Sequence, residues 1–158
     1  MEAVTVSGQI RTDLGKKATK TVRATGKIPA VLYSKDDVIH FTTTHKAVKS
    51  LVYTSEFKVG EVEIDGKSYR CIVKEIQWHP VTDEIAHIDF LRLIDGHPIK
   101  LQIPVTFTGT APGIRAGGKL QQAVRRVNVK TVPENIVSQL VLDISSLEMG
   151  QSIRVRDI

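Results

Sequence analysis

Cysteine is almost absent from this chain of 158 residues: Cys71 stands alone. A single thiol cannot form an internal disulfide or build a cysteine metal cluster. It falls in the alternating run Tyr69-Arg70-Cys71-Ile72-Val73, where a small buried thiol is the expected role. The sequence also lacks an apolar run of the roughly 18–20 residues that a spanning helix needs, so no membrane contact is expected. Its opening residues, MEAVTVSGQI, have no basic stretch followed by an apolar one, so no secretory signal is expected. These lacks point to a cytoplasmic protein. No Walker A or Rossmann glycine pattern occurs, and His40, His45, His79, His87 and His97 form no recognised metal spacing. Metal, cofactor and small-molecule substrate are therefore not expected. There is no fixed-period repeat and no low-complexity tract.

What is present is an ordinary globular composition, 41% hydrophobic and 25% charged. The length suits one full domain, or one plus a partial second, and can bury a core without covalent staples. The charge is unevenly placed. Arg11, Lys16, Lys17, Lys20, Arg23 and Lys27 face one acid, Asp13, giving a net +5 in residues 11–27. The whole chain is also +5, so the remainder sums to zero. A charge excess confined to one short segment faces a partner, and a polyanion such as nucleic acid is the first candidate.

Along the chain, residues 2–10 alternate as a strand. Residues 16–25 form a short helix stopped by Gly26, with Lys16, Lys20 and Arg23 stacked on one face. Like charges at that spacing repel, which an external anion would relieve. Ile28-Pro29 closes the segment and Ala30–Tyr33 is a short apolar strand. Lys35-Asp36-Asp37 is a turn, Ile39–Thr43 a strand, and Thr44 caps a helix over His45–Tyr53. Asp65-Gly66 joins Val59–Ile64 to a strand from Lys67 to Val73, or on to Trp78, as a hairpin. Residues 84–93 form a strand with Ala86, Ile88 and Phe90 on one face and Ile85, His87, Asp89 and Leu91 on the other.

Asp95-Gly96-His97-Pro98 reads as a boundary, giving domains over 1–94 and 95–158. From Gly96 to Pro133 there are six basic residues (Lys100, Arg115, Lys119, Arg125, Arg126, Lys130) and no acid. Lys100–Thr108 is expected as a strand whose Pro104 marks an edge or bulge. Residues 110–120 read as a Gly- and Ala-rich mobile loop. Gln121–Thr131, Ser138–Asp143 and Gln151–Val155 read as further strands, with no convincing helix among them.

His87-Ile88-Asp89 places a histidine and a carboxylate two apart on one strand face. Three readings compete. The pair could be base and orienter of a catalytic site, but no nucleophile elbow and no reactive cysteine accompanies it. It could be a structural pair in a barrel wall. It could also face RNA, with His87 donating to phosphate or base and Asp89 accepting from a base amine or ribose hydroxyl. Tyr33 is either a core tyrosine or an aromatic hydroxyl set beside bound RNA.

Four motifs then line up in order. They are Arg11-x-x-x-Gly15-Lys16-x-Ala18-Thr19-Lys20-x-x-Arg23, Gly26-x-Ile28-Pro29-Ala30-Val31-Leu32-Tyr33, Lys74-Glu75-Ile76-Gln77-x-His79-Pro80 and His87-Ile88-Asp89-Phe90. Together they resemble the bacterial family of large ribosomal subunit protein twenty-five, in its CTC or general-stress-protein type. The resemblance implies a mostly β fold with short helices: an N-terminal six-stranded β-barrel, as in the anticodon-binding part of glutaminyl-tRNA synthetase, then a second β-rich domain lacking the final strand of longer members. It implies a non-enzymatic constituent of the large ribosomal subunit that binds the loop E region of 5S rRNA through its widened minor groove. By motif position Arg11, Lys16, Lys20, Arg23, Tyr33, Gln77, His87 and Asp89 would face RNA, which favours the third reading of the His87–Asp89 pair. Residues 95–158 are expected to meet neighbouring 23S rRNA or large-subunit proteins. The family commonly has Gly at Lys17, Arg at Lys20 and Gly at Ser34. Lacking Arg's bidentate fork, Lys20 is expected to contact phosphate only. The rival class is a tRNA anticodon-binding accessory module with the same barrel.

Overall fold

Asp65 (φ 49°) and Gly66 (φ 77°) both take positive φ, as a tight two-residue hairpin turn requires. They join β4 (Val59–Ile64) to β5 (Lys67–Trp78), with Ile64 opposite Lys67. This computed structural model describes residues 3–35 and 37–157, and its first unit is built around that hairpin. The other elements are β1 (Ala3–Ile10), α1 (Lys16–Ala24), β2 (Lys27–Tyr33), β3 (Val38–Thr44), α2 (His45–Val52) and β6 (Ile85–Arg92). The six strands close into a barrel in the order β1-β3-β2-β6-β5-β4, with β1 returning to β4 as a parallel pair. The expected six-stranded barrel is thus present. Thr44 caps α2, its side chain accepting from Ala47 N at 3.4 Å. The turn expected at Lys35-Asp36-Asp37 includes Asp36, which lies outside the described residues.

The barrel is filled by alternate residues from every strand, among them Val6, Ile28, Leu32, Phe41, Val62, Ile88 and Phe90. Phe41 and Phe90 meet with ring centroids 5.7 Å apart and a 39° tilt. Cys71 is buried in this core, and burial pushes its thiol up to about 12, which leaves it inert.

Two expectations about this unit are corrected. Pro29 does not close a segment but lies inside β2, opposite Thr42 of β3. It is tolerated because the ladder to β6 starts one residue later, at Ala30–Ile88, so no amide is missed there. In β6, Ile85 joins Ile88 and Phe90 in the core, so the strict alternation fails. Trp78 pairs with Ile85 and Gln77 with His87, which leaves Ala86 as an extra residue in a β-bulge.

The second unit takes Pro98–Ile158 together with Ser55–Phe57, and Phe57 N–H donates to Ser138 O at 2.9 Å. It holds the short helix α3 (Pro112–Arg115) and the strands β7 (Ile99–Thr108), β8 (Arg126–Thr131) and β9 (Leu140–Asp143), the strands in a sheet ordered β8-β7-β9. Pro104 sits in the central strand rather than at an edge: pairing with β8 ends there and pairing with β9 begins at Val105. The glycine-rich stretch holds the short helix α3 instead of a plain loop. A Cβ on Gly113 would come within 2.9 Å of Met149 N, and one on Gly118 within 2.7 Å of Gly113 O, so these glycines serve close backbone packing. β8 starts at Arg126, not Gln121, and residues 151–155 pair with no strand among the described residues, the chain instead taking a 3₁₀ turn over Val155–Asp157.

Candidate RNA interface

Strand alternation turns Ile28, Ala30 and Leu32 inward and leaves Val31 and Tyr33 on the outer wall. Across the wall, register sets His40 of β3 beside Val31, Val31 beside Asp89 of β6, and Asp89 beside Glu75 of β5. Gln77 lies opposite His87 in the neighbouring pair. Adjacent strands are about 4.8 Å apart, so Val31, Asp89 and Glu75 span roughly 10 Å.

Two arginines fasten α1 to this wall. Arg11 donates its backbone N–H to His40 O at 3.0 Å and its Nη1 to Thr19 Oγ1 of α1 at 3.4 Å. Arg23, on α1, donates Nε to Ala86 O at 3.0 Å. That acceptor is the bulged residue of β6, so the bulge supplies the anchor point. α1 turns Ala18 and Val22 toward the barrel and leaves Lys16 and Lys20 exposed. Neither lysine has an ion pair or side-chain hydrogen bond among the described residues.

His87 Nδ1 lies 2.7 Å from Asp89 Oδ1, with the side chains 19% and 30% exposed, so a ligand can reach both. Nδ1 nevertheless has no well-aligned hydrogen-bond partner, and neither do the buried Arg11 Nε and His40 Nδ1. Burial holds His87 below the ordinary histidine range; Asp89 pulls it up, while the charges of Arg11 and Arg23 push it further down. At neutral pH the ring is a neutral donor and acceptor. Tyr33 is raised, first by burial and then by Asp89 and Glu75, so its hydroxyl remains a donor.

The structure thus gathers Arg11, Arg23, Tyr33, Gln77, His87 and Asp89 on one wall. Lys16 and Lys20 stand apart from them on α1, a charged fringe. Sequence reasoning missed His40 and Glu75. The alternation of β3 could have turned His40 outward, but only the β3–β2–β6–β5 order shows that it and Glu75 share the wall with Asp89.

Residues 6–90 match the Ribosomal L25p family, and residues 98–158 match the family described as Ribosomal protein TL5, C-terminal domain. The chain belongs to the Ribosomal L25p family. It is similar to proteins named large ribosomal subunit protein bL25 from several bacteria. The one from Porphyromonas gingivalis is 41% identical over 160 residues, covering 100% of this chain and 83% of the relative. That of Phocaeicola vulgatus is 39% identical over 165 residues, again with 100% and 83% covered. That of Cytophaga hutchinsonii is 38% identical over 158 residues, with 100% and 82% covered. Membership in this family of ribosomal proteins sets catalysis aside as a role for the His87–Asp89 pair.

The lowered His87 pKa has a consequence for stability. Between its folded value and the ordinary 6.5, the unfolded chain binds a proton that the folded barrel does not. Stability contributed by neutral His87 is therefore complete above about pH 6.5 and is lost as pH falls toward the folded value. His87→Gln should flatten the fall in thermal midpoint between about pH 7 and pH 5.5. A His87→Gln variant that keeps the full parental pH dependence would remove His87 as its source.

Proposed function

We infer that this chain is a structural constituent of the large ribosomal subunit and that its barrel wall binds 5S rRNA at the loop E region. One observation carries this reading. Arg11 and Arg23 are tethered beside a short His87–Asp89 pair with a neutral imidazole, and Tyr33 and Gln77 share the same wall. Such a surface offers donors and acceptors at fixed positions, suited to base edges and 2′-hydroxyls in a widened minor groove. The α1 lysines, exposed and unpaired among the described residues, suit phosphate oxygens. Residues 95–158 are assigned to neighbouring large-subunit components.

The experiment is a binding titration of the full chain against a loop E fragment and an unrelated hairpin of equal length, at several salt concentrations. Affinity should fall by roughly 0.7–0.9 log units per log unit of salt for each phosphate neutralised. Lys16→Ala should weaken both RNAs alike and reduce the slope by about one such contact. Affinity independent of salt, or no preference for loop E, would overturn the assignment.

A further inference from the structure

We propose that the exposed face of the β7–β8 ribbon is a second RNA-binding surface, one that holds phosphate backbone without reading sequence. It rests on the reading of the chain as an rRNA-bound protein, but uses none of the residues of the barrel wall.

Register places Lys100 opposite Lys130, Gln102 opposite Asn128 and Pro104 opposite Arg126. Lys100, Gln102, Arg126, Asn128 and Lys130 are all exposed. The alternate residues Ile99, Leu101 and Ile103 are buried, and Val127 and Val129 are half-buried. The ribbon therefore has one apolar face turned into its own unit and one face of three cations and two amides. Arg126 and Lys130 are four residues apart on β8, about 13 Å along the strand. Between them, Gln102 and Asn128 offer amide donors suited to phosphate oxygens or ribose hydroxyls.

Two considerations select RNA backbone as the occupant. The segment from Gly96 to Pro133 has no acid, and Arg126 and Lys130 have no ion pair among the described residues. Finally, the face lacks the aromatic or aliphatic anchors that a protein interface needs at its centre, and lysine is depleted in such centres. The barrel wall differs in kind: there Arg23 is held by Ala86 O. On the ribbon, Arg126 and Lys130 have no such tether among the described residues, so they supply affinity rather than selection.

The test uses the full chain and an RNA duplex without 5S sequence, titrated by fluorescence anisotropy over a range of salt. Arg126→Gln with Lys130→Gln should reduce the salt slope by about two contacts and lower affinity roughly tenfold at about 0.15 M salt. The control pair Lys46→Gln with Lys49→Gln, exposed on α2, should change neither by more than a small bulk-charge effect. Gln102→Lys with Asn128→Lys adds cations to the same face and should raise the slope, so the proposal does not hang on one variant. Preference for loop E over the duplex reports the barrel wall, so its loss with an intact ribbon response would count against the wall alone. An unchanged slope in the Arg126/Lys130 pair would overturn the proposal, including when that pair loses binding to an acidic protein instead. An equal loss in the Lys46/Lys49 control would also overturn it, since net charge alone would then explain the binding.

Discussion

Asp89→Ala is expected to lower affinity for the loop E fragment by about 10- to 100-fold while leaving the unrelated hairpin unchanged, the range for losing a hydrogen bond to a charged group. The argument starts from position. Asp89 stands on the outer wall between Val31 and Glu75, with Ile88 and Phe90 on either side of it in sequence packed into the core. Its backbone is therefore fixed by the barrel, and its carboxylate can only accept. A base amine or a 2′-hydroxyl offers it a donor; a phosphate repels it. Affinity for phosphates generally should then be indifferent to Asp89, or rise slightly when it is removed. Stability should change little. The His87–Asp89 contact is partly exposed, and removing Asp89 also relieves its like-charge neighbour Glu75 across the pair. A fall in affinity without a fall in thermal midpoint is thus the signature of a reading group. Equal losses on both RNAs would refute that role and return Asp89 to being a prop for His87.

The parts of this fold legible in the sequence are those set by neighbours in the chain. Asp65-Gly66 must turn because both residues accept positive φ, and Thr44 caps because its hydroxyl lies three residues before a free amide. Most of the errors lie where a distant strand decides. Pro29 and Pro104 look like breaks until one sees which ladder is missing at each. Ala86 bulges only because β5 and β6 slip at Gln77–Trp78, and that slip carries Ile85 into the core. Residues 151–155 have strand-like alternation but no partner strand among the described residues. The candidate site divides the same way. The charge of Arg11–Lys27 is visible in composition. The pairing of Arg23 with Ala86 O is not, because it joins residues 63 apart through a bulge. His87 and Asp89 stand out as a pair open to three readings, and only the resemblance favours the RNA-facing one. Glu75 lies within one of the four motifs but gains meaning only from its register with Asp89.

Phe90→Ala should destabilise the barrel by about 3–5 kcal/mol, the range for emptying a large aromatic from a core. Its ring is wholly buried and packs 5.7 Å from that of Phe41, so the cavity opens between strands that cannot close around it. Such a loss is a large share of the 5–15 kcal/mol typical of a domain. Trp78, the only tryptophan, lies in β5 of the barrel and packs edge-on against Tyr53 at 5.8 Å. Its fluorescence therefore follows unfolding of the barrel. The urea midpoint read from Trp78 should fall sharply in Phe90→Ala and much less in Phe90→Leu, which keeps most of the volume. Gly8 supplies a check on the same packing. A Cβ at Gly8 would lie 2.5 Å from Phe41 Cδ2, so Gly8→Ala overpacks the site. In a Phe41→Ala background that methyl enters vacated space, and the cost of Gly8→Ala should shrink or reverse. Additive losses in the double variant would show that the Phe41 ring is not what limits residue 8. Because Asp89 is carried on the strand that Phe90 pins, Phe90→Ala should also cost loop E affinity in proportion to the unfolded fraction, whereas Asp89→Ala costs it with the barrel intact.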